Sequence, residues 1–562
     1  MGRTARRGGR RMTVENTARP AAPAAGPATA APHGPGAPEP PLATLARWAA
    51  ALRPEDIPER TLALAASQLL SQLASIRAGA EQPLGRLLVK GFGPPFQDDP
   101  RASARVLAGL GSWLNLDDTA YAGHLSNSTV AVPLAYAHHR RLDGTALLTS
   151  IIAANECAAR ITAAATLGPL RGHSALHTHL VGATAGRLHC EGAGAKQWTD
   201  ALGLALAMPP WPLLRAFLAS DARLFNAFAP VSTAMDACDA AAAGFQGPAD
   251  LLEHPDGFLA RFATVPLPSA VTDGLGERWH TDTLSFKMHP GGPGVDAAID
   301  CALDLHRALT PRRPDDIADI VVETSLYTLA AQRTAERYVH GPGAPLGALV
   351  LHTPYTVATA FLTGGLSVGD FTPPRRDEQA RWQAARLVRL VHDPAMTRAL
   401  FTSEAPFGEA VRRAGPDAEA WLRSLGGPEA VALAADAERP GARGRLRPRP
   451  QTHRGPCHRP AHRRPHRDPR THDPARRGRP PHPPAPRRSG ATEVHRPRRP
   501  TPCGRARHAG RRHVLRRIVC LDRGGTALTA ATRPDVSPVL THAVRRPIGK
   551  RFGPCLDTPF RT

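Results

Sequence analysis

The side chains best suited to acid–base chemistry lie in one short loop after Leu114. Two adjacent carboxylates, a hydroxyl, an imidazole and a second hydroxyl fall within ten residues there, on Asp117, Asp118, Thr119, His124 and Ser126. Paired carboxylates near a histidine can supply both a proton donor and a proton acceptor. A solvated loop whose Asp and Ser side chains cap the flanking helices would contain the same residues. The residues alone leave both interpretations open.

A second segment has the features of an anion-binding site. Lys287 and His289 precede a Gly/Pro turn, and a helical pattern opens near Val295. Free backbone N–H groups at a helix start, together with a cation, can hold a carboxylate. The chain has only four lysines, so Lys287 stands out, although a surface lysine before a turn is the plain alternative. The glycine spacing fits neither a P-loop nor a dinucleotide fingerprint.

Histidines cluster further along, at His173, His177 and His179. The spacing lacks the H-E-x-x-H pattern, so we expect no metal and predict that one of these histidines acts as an acid or base. Glu156 and Arg160 are four residues apart on the preceding helix and are predicted to form a structural ion pair.

Composition limits the class of protein. The eight cysteines form no C-x-x-C pair, which disfavours a disulfide framework, a structural zinc site or an iron–sulfur cluster. No run of about 20 apolar residues is present and no secretory signal is visible, so we expect a cytoplasmic protein without a membrane span.

The basic charge of the chain is concentrated at its end. Of the formal net charge of +23, residues 441–562 contribute 31 Lys+Arg against 6 Asp+Glu, so the remaining 440 residues are slightly acidic. This segment also has 20 Pro and 10 His and little apolar periodicity. Two interpretations stay open: a genuine basic tail that binds polyanions, and a shifted reading frame in a GC-rich gene. Without aromatic platforms, nucleic-acid binding is not expected of the chain.

Hydrophobic periodicity predicts the elements that hold these residues. Residues 1–41 are predicted to be a disordered Ala/Pro-rich tail and 42–270 an all-helical domain. Residues 271–435 are predicted to be a smaller α+β lid domain with strands in 317–324 and 386–392. The remainder, 436–562, is predicted to be a low-complexity tail. The predicted fold class is therefore mainly α.

The order of these features resembles the MmgE/PrpD family, which includes 2-methylcitrate dehydratase and cis-aconitate decarboxylase. The resemblance covers about 42–435. It rests on the Asp-Asp-Thr…His-x-Ser loop (117–126) running into Val-Pro-Leu-Ala-Tyr-Ala (132–137), on Phe286-Lys-Met-His-Pro, and on Tyr355…Ala-Phe-Leu-Thr-Gly-Gly (360–365). Asn115 stands where the family has its first loop Asp, and Arg223 where it has a second Lys.

The resemblance implies a homodimer with cofactor-free chemistry on small tri- or dicarboxylic acids. By position it places Asp118, Thr119 and His124 in the first active-site loop, His177 or His179 at the mid-chain histidine, and Lys287 on the lid side. Lys287, Arg223 and His124 are expected to anchor carboxylates, with Ser126 and His289 as further substrate contacts. Asp118 is expected to orient the substrate or accept a proton, and His177 or His179 to shuttle one.

The predicted function is a metal-independent hydro-lyase acting on a 2-methylcitrate-like acid. A decarboxylase or isomerase on the same scaffold is the alternative, because a carboxylate pocket with a proton shuttle serves all three reactions. Polyanion binding through the tail and an inactive family member are further alternatives.

Overall fold

The computed structural model describes residues 38–169, 176–209, 213–309, 311, 313–438 and 518–519. The predictions for the N-terminal tail up to residue 37, for His173 and for nearly all of the basic C-terminal segment lie outside the described residues. The described part is mostly helical, as predicted, and none of its helices is long and apolar enough to cross a membrane.

The described residues form two compact units. The first contains 38–291 and 404–421, and the second contains 292–403, 422–438 and 518–519. The boundary at Gly291 differs from the predicted one at 270. The reason is that the Arg160 guanidinium donates hydrogen bonds to backbone carbonyls of Asp273, Gly274 and Arg278, which hold this segment against the first unit.

The first unit is built from helices of 4 to 22 residues. They are α1 (Pro41–Ala51), α2 (Glu59–Ala80), α3 (Pro83–Phe92), α4 (Pro100–Ser112), α5 (Ser126–Thr129), α6 (Ala131–Arg140), α7 (Gly144–Ala164), α8 (Leu176–Glu191), α9 (Ala195–Leu206), α10 (Leu214–Ala219), α11 (Phe225–Ala242) and α12 (Phe258–Phe262). The returning segment adds α19 (Gly408–Ala414) and the start of α20 (Ala418–Glu438), and α20 is kinked at Gly426–Gly427.

The first unit also contains two strands, which the all-helical prediction missed. β1 (Thr119–Ala120) and β2 (Gly123–His124) form a small antiparallel hairpin, with Thr119 opposite His124. Tyr121, in its turn, has a left-handed backbone with φ of 54°. Two-residue strands are too short to produce the alternating pattern by which strands are recognised.

The buried face of α2 is more polar than its leucines suggest. Helical spacing puts Leu62, Leu69, Leu73 and Ile76 on one stripe, but Leu73 is 39% exposed. The buried face of the helix instead includes the polar residues Gln68, Gln72 and Ser75, together with Thr61, Ala65, Ile76 and Gly79. Buried amide groups need hydrogen-bond partners. Gln68 and Gln72 find theirs in Asn155 and Asn127, outside α2.

The second unit combines helices with parallel strands. It contains α13 (Pro293–Leu309), β3 (Ile320–Thr324), α14 (Leu326–Glu336), α15 (Leu346–Leu349), α16 (Thr353–Thr363), α17 (Gln379–Ala385), β4 (Val388–His392), α18 (Pro394–Thr402), the later part of α20, and β5 (Ile518–Val519). The sheet order is β4-β3-β5, and both pairings are parallel. β3 and β4 lie within the segments 317–324 and 386–392, where the sequence predicts strands. Their core is formed with α13, α16 and α17 around Ile299, Ile320 and Phe361.

Candidate active site

The loop after α4 is fixed by its backbone. Asn115 has a left-handed backbone (φ 58°), and its side-chain amide donates a 2.7 Å hydrogen bond to the carbonyl of Gly291. Asn tolerates this conformation better than most residues because its short amide bonds locally. Thr119 and Ser285 exchange backbone hydrogen bonds of 3.0 and 2.8 Å. The predicted loop and the segment of Lys287 are therefore bound side by side within the first unit.

Asp117 lies at the centre of the charged cluster. Its Oδ2 is hydrogen-bonded to Nδ1 of His124, and its Oδ1 lies 3.9 Å from Nζ of Lys287. The Lys287 ammonium also donates a 3.2 Å hydrogen bond to the carbonyl of Asn115. The side chains of Asp117 and Lys287 are fully buried, and that of His124 is 11% exposed. His124 of the loop and Lys287 of the later segment therefore both contact the carboxylate of Asp117.

The electrostatics of Asp117 favour its ionised form. Burial by itself disfavours the charge, but attraction to His124 and Lys287 outweighs it and lowers the pKa of Asp117 to about 2. Burial also lowers the pKa of His124, against the opposing attraction of Asp117. A neutral imidazole beside an ionised carboxylate carries its proton on Nδ1. The lone pair of Nε2 then makes His124 a competent base.

Asp118 has the opposite character. Burial, and next the charge of Asp117, raise the pKa of Asp118 to about 7. Its Oδ1 accepts a 3.1 Å hydrogen bond from the backbone N–H of Ser126. A side-chain hydrogen bond from Gln68 and the one from Ser126 act in the opposite direction and lower the pKa, but burial and Asp117 outweigh them. A carboxyl group that is protonated near neutral pH can act as a proton donor.

The structure separates the two histidines that the sequence could not. His179 donates to or accepts from the Ser128 hydroxyl at 3.2 Å, and repulsion from His124 adds to burial in lowering its pKa to about 3. His177 instead packs its ring against Phe258 and Phe262, with centroids 5.2 and 4.7 Å away. The side chain near the charged cluster is therefore that of His179.

Arg223 is the second cation of the cluster. It is 3% exposed, donates a 2.8 Å hydrogen bond from Nε to the carbonyl of Trp113, and lies over the ring of Phe217. Burial lowers its pKa to about 10, although Asp117 acts in the opposite direction. An arginine at this position remains charged at neutral pH and can bind a carboxylate through two N–H groups.

The remaining residues predicted to contact the substrate differ in how deeply they are buried. Ser126 is buried at the start of α5, and Thr119 is nearly buried in β1. His289 is partly exposed, two residues beyond Lys287. Their contact with substrate stays a prediction.

Several buried amides around the site were missed by the sequence analysis. Gln68 exchanges hydrogen bonds of 3.1 and 2.7 Å with Asn155, and Gln72 donates one of 3.2 Å to Asn127. The available signal was the spacing of Gln68 and Gln72, which are four residues apart in α2 and so share one face of the helix. The Glu156–Arg160 pair is confirmed: both side chains are fully buried, with Nε and Oε2 3.6 Å apart.

The cluster contains two cationic side chains in a buried environment. Lys287 and Arg223 both attract Asp117, whose carboxylate is ionised. Side chains of this kind can bind a carboxylate of a ligand. Among the residues that the structure describes, no three His, Cys, Asp or Glu side chains are arranged to hold a metal ion.

Two family domains match consecutive parts of the chain. The MmgE/PrpD N-terminal domain matches residues 43–269, and the MmgE/PrpD C-terminal domain matches residues 289–414. No curated protein matches the chain. The two domain matches follow one another in the family's order and cover the loop of Asp117. The chain therefore belongs to the MmgE/PrpD family, which is known for lyases of the dehydratase type.

Proposed function

We propose that this protein is a hydro-lyase that removes water from a small 2-methylcitrate-like tri- or dicarboxylic acid. The observation that carries the proposal is the pair of adjacent buried carboxylates with separated proton affinities, Asp117 ionised and Asp118 protonated near neutrality. Removing water β to a carboxylate needs one base and one acid at the same time. The ionised Asp117 orients His124 as the base, and the protonated Asp118 is the acid.

The cations supply the binding site for the substrate. Lys287 and Arg223 bind substrate carboxylates, and they oppose the negative charge that develops on the carboxylate as the Cα proton leaves. Their burial strengthens this interaction, because charges attract more strongly where water is excluded.

The proton transfers follow from the hydrogen bonds. His124, oriented by Asp117 through Nδ1, takes the Cα proton on Nε2. The electrons of that C–H bond form the double bond, the β C–O bond breaks, and Asp118 gives its proton to the departing hydroxyl, which leaves as water. Asp118 ends as a carboxylate and His124 as an imidazolium, and one proton transfer between them restores the starting state. His179, whose pKa is lowered by burial and by repulsion from His124, assists that transfer.

The test is a panel of 2-methylcitrate, citrate and cis-aconitate with the full-length protein. Formation or loss of the conjugated double bond is followed by ultraviolet absorbance, and CO₂ is measured in parallel. The proposal predicts that the double bond changes without release of CO₂. Release of CO₂ in step with substrate loss would show the decarboxylase alternative, and isomer formation without net hydration would show the isomerase.

We further propose that the working protein is a homodimer, as its family resemblance implies. Light scattering coupled to size-exclusion chromatography gives the mass directly. A monomer mass at assay concentration would contradict this part of the proposal.

A further inference from the structure

The buried polar face of α2 is linked to the acid of the candidate site by a short chain of hydrogen bonds. The Ser126 hydroxyl donates a 2.7 Å hydrogen bond to Oε1 of Gln72, whose Nε2 donates to Oδ1 of Asn127. The backbone N–H of the same serine donates to Oδ1 of Asp118. Gln72, Ser126, Asn127 and Asp118 are all at most 2% exposed. Water therefore does not compete for these bonds.

This arrangement fixes the direction of the Ser126 hydroxyl proton. A serine hydroxyl can donate one hydrogen bond, and that of Ser126 is donated to Oε1 of Gln72. Ser126 Oγ is only three bonds from the backbone nitrogen that already contacts Asp118. A hydroxyl released from Gln72 could therefore rotate toward the same carboxyl group. A second hydrogen bond would stabilise the ionised carboxylate and weaken Asp118 as a proton donor.

We propose that Gln72 is a positioning residue of the active site: by accepting the Ser126 hydroxyl proton, it keeps that hydroxyl from Asp118 and so preserves Asp118 as the proton donor. Gln72 does not touch the substrate in this proposal. It acts through Ser126 alone. The role assigned to Asp118 rests on the proposed function, whereas the control of its proton by Gln72 can be measured without turnover.

Other charged groups near Asp118 come from several elements. Asp117 in the same loop raises its proton affinity, and Lys287 from the neighbouring segment lowers it. His124, His179 and Arg223 face Asp117 from β2, α8 and the residues before α11. None of them takes part in the chain of hydrogen bonds described above. Gln68, one turn before Gln72 on α2, lowers the pKa of Asp118 through a side-chain hydrogen bond. A change at Gln68 would shift the pKa of Asp118 with and without the Ser126 hydroxyl, so the Ser126→Ala background separates it from the proposed effect.

The experiment is an infrared pH titration of the full-length protein without substrate. The band of the protonated Asp118 carboxyl is assigned by its loss in Asp118→Asn. Gln72→Met, which removes the acceptor but keeps the length of the side chain, is expected to move the titration midpoint of this band down by about one pH unit, the effect of one added hydrogen bond to a carboxylate. Gln72→Glu keeps the acceptor and is expected not to lower the midpoint.

Ser126→Ala decides whether the effect passes through the hydroxyl. Ser126→Ala alone leaves the backbone N–H in place and is expected to leave the midpoint unchanged, and Gln72→Met in that background is expected to produce no downward shift. An unchanged midpoint in Gln72→Met would overturn the proposal. So would an equal downward shift with and without the Ser126 hydroxyl, since a general packing defect would cause that. If Gln72→Met does not fold, a midpoint lowered by Gln72→Glu would overturn it.

The same variants separate this inference from the proposed function. If the wild-type protein turns over no acid of the panel but the infrared midpoints behave as predicted, the proposed reaction fails and the role of Gln72 stands. Where turnover is found, the basic limb of the pH–rate profile in Gln72→Met moves to lower pH with the infrared midpoint.

Discussion

Asp117 and Asp118 are adjacent in the sequence, yet their surroundings give them opposite protonation states. Asp117 is held as a carboxylate by His124 and Lys287, and Asp118 is held as a neutral acid by burial and by Asp117 itself. The residue-scale claim is that this difference, rather than either side chain alone, makes acid–base catalysis available.

Asp118→Asn tests that claim through stability as well as activity. The unfolded Asp118 has an ordinary pKa of about 3.9 and the folded one a pKa of about 7, so the contribution of Asp118 to stability falls as the pH rises between these values. Relative to wild type, Asp118→Asn should gain about 2 kcal/mol more unfolding free energy at pH 8 than at pH 5. It should lose at least about 100-fold in turnover.

Urea unfolding of both proteins at both pH values measures the first effect. The same difference between wild type and Asp118→Asn at pH 5 and pH 8 would contradict the raised pKa. In wild type, turnover should fall as the pH rises through about 7, because Asp118 then loses the proton that it donates.

The two histidines of α8 provide a second residue-scale prediction. His179→Asn should lower kcat by about 100-fold or more, because His179 lies beside His124. His177→Leu should retain turnover and gain up to about 1 kcal/mol of stability, because its buried ring nitrogens have no hydrogen-bond partner among the described residues. Steady-state kinetics and urea unfolding of the two variants measure both effects. Equal losses of turnover would contradict this separation.

The sequence named most of the residues that the structure brings into one charged cluster but could not rank them. Asp118, His124, Arg223 and Lys287 were all named from their types and from the family resemblance. His177 and His179 could not be told apart, because which face of a helix is buried against which neighbour depends on tertiary packing. Asp117 was noticed in the loop, but its central position becomes visible only when the segment of Lys287 lies beside it.

At the scale of elements, close approach between α2 and α4 positions the buried amides. A Cβ atom at Gly111 of α4 would lie 2.1 Å from Nε2 of Gln72, so Gly111→Ala must displace the Gln72 side chain. Gly111→Ala is expected to destabilise the protein by about 1–3 kcal/mol and to reduce turnover.

Gly91→Ala in α3 is the matched control. A Cβ atom there meets nothing within 4 Å, so this variant should be neutral or slightly stabilising. Thermal unfolding and kinetics of the two variants provide the comparison. A Gly111→Ala protein as stable and active as Gly91→Ala would show that Gln72 is not confined as described.

Helices and the two longer strands were predictable from periodicity, since both patterns extend over several residues. The buried face of α2 could not be predicted from periodicity, because the rule that apolar residues face inward fails where a helix supplies hydrogen bonds to a polar site. The β1–β2 hairpin could not be predicted in this way because it is specified by the turn at Tyr121 and by pairing with Ser285, a residue distant in the sequence.

At the scale of the whole molecule, the first unit is completed by chain from near the end of the described region. Trp421 is fully buried, and its ring is tilted by 43° against that of Phe407 with the ring centroids 5.0 Å apart. Its Nε1 donates a 3.1 Å hydrogen bond to the carbonyl of Gly168. Arg278 forms a two-bond ion pair with Glu409 in the same unit. Periodicity could not predict this return of the chain.

Trp421→Ala is therefore expected to cost about 3–5 kcal/mol of unfolding free energy, because it empties a large buried volume and leaves the Gly168 carbonyl unpaired. Trp421→Phe keeps much of the packing and should cost less. Urea unfolding followed by circular dichroism measures both. A loss below about 1 kcal/mol in Trp421→Ala would contradict the structural role of residues 404–421.

The central claim is that Lys287 belongs to the site where a small acid is bound and dehydrated. The most direct measurement is the turnover of Lys287→Ala on every acid that the wild-type protein accepts. Lys196→Ala is the control, because Lys196 is 77% exposed and pairs with Asp200 on α9. We expect Lys287→Ala to lose at least about 100-fold in turnover and Lys196→Ala to keep wild-type turnover. Full turnover by Lys287→Ala on all accepted acids would contradict it.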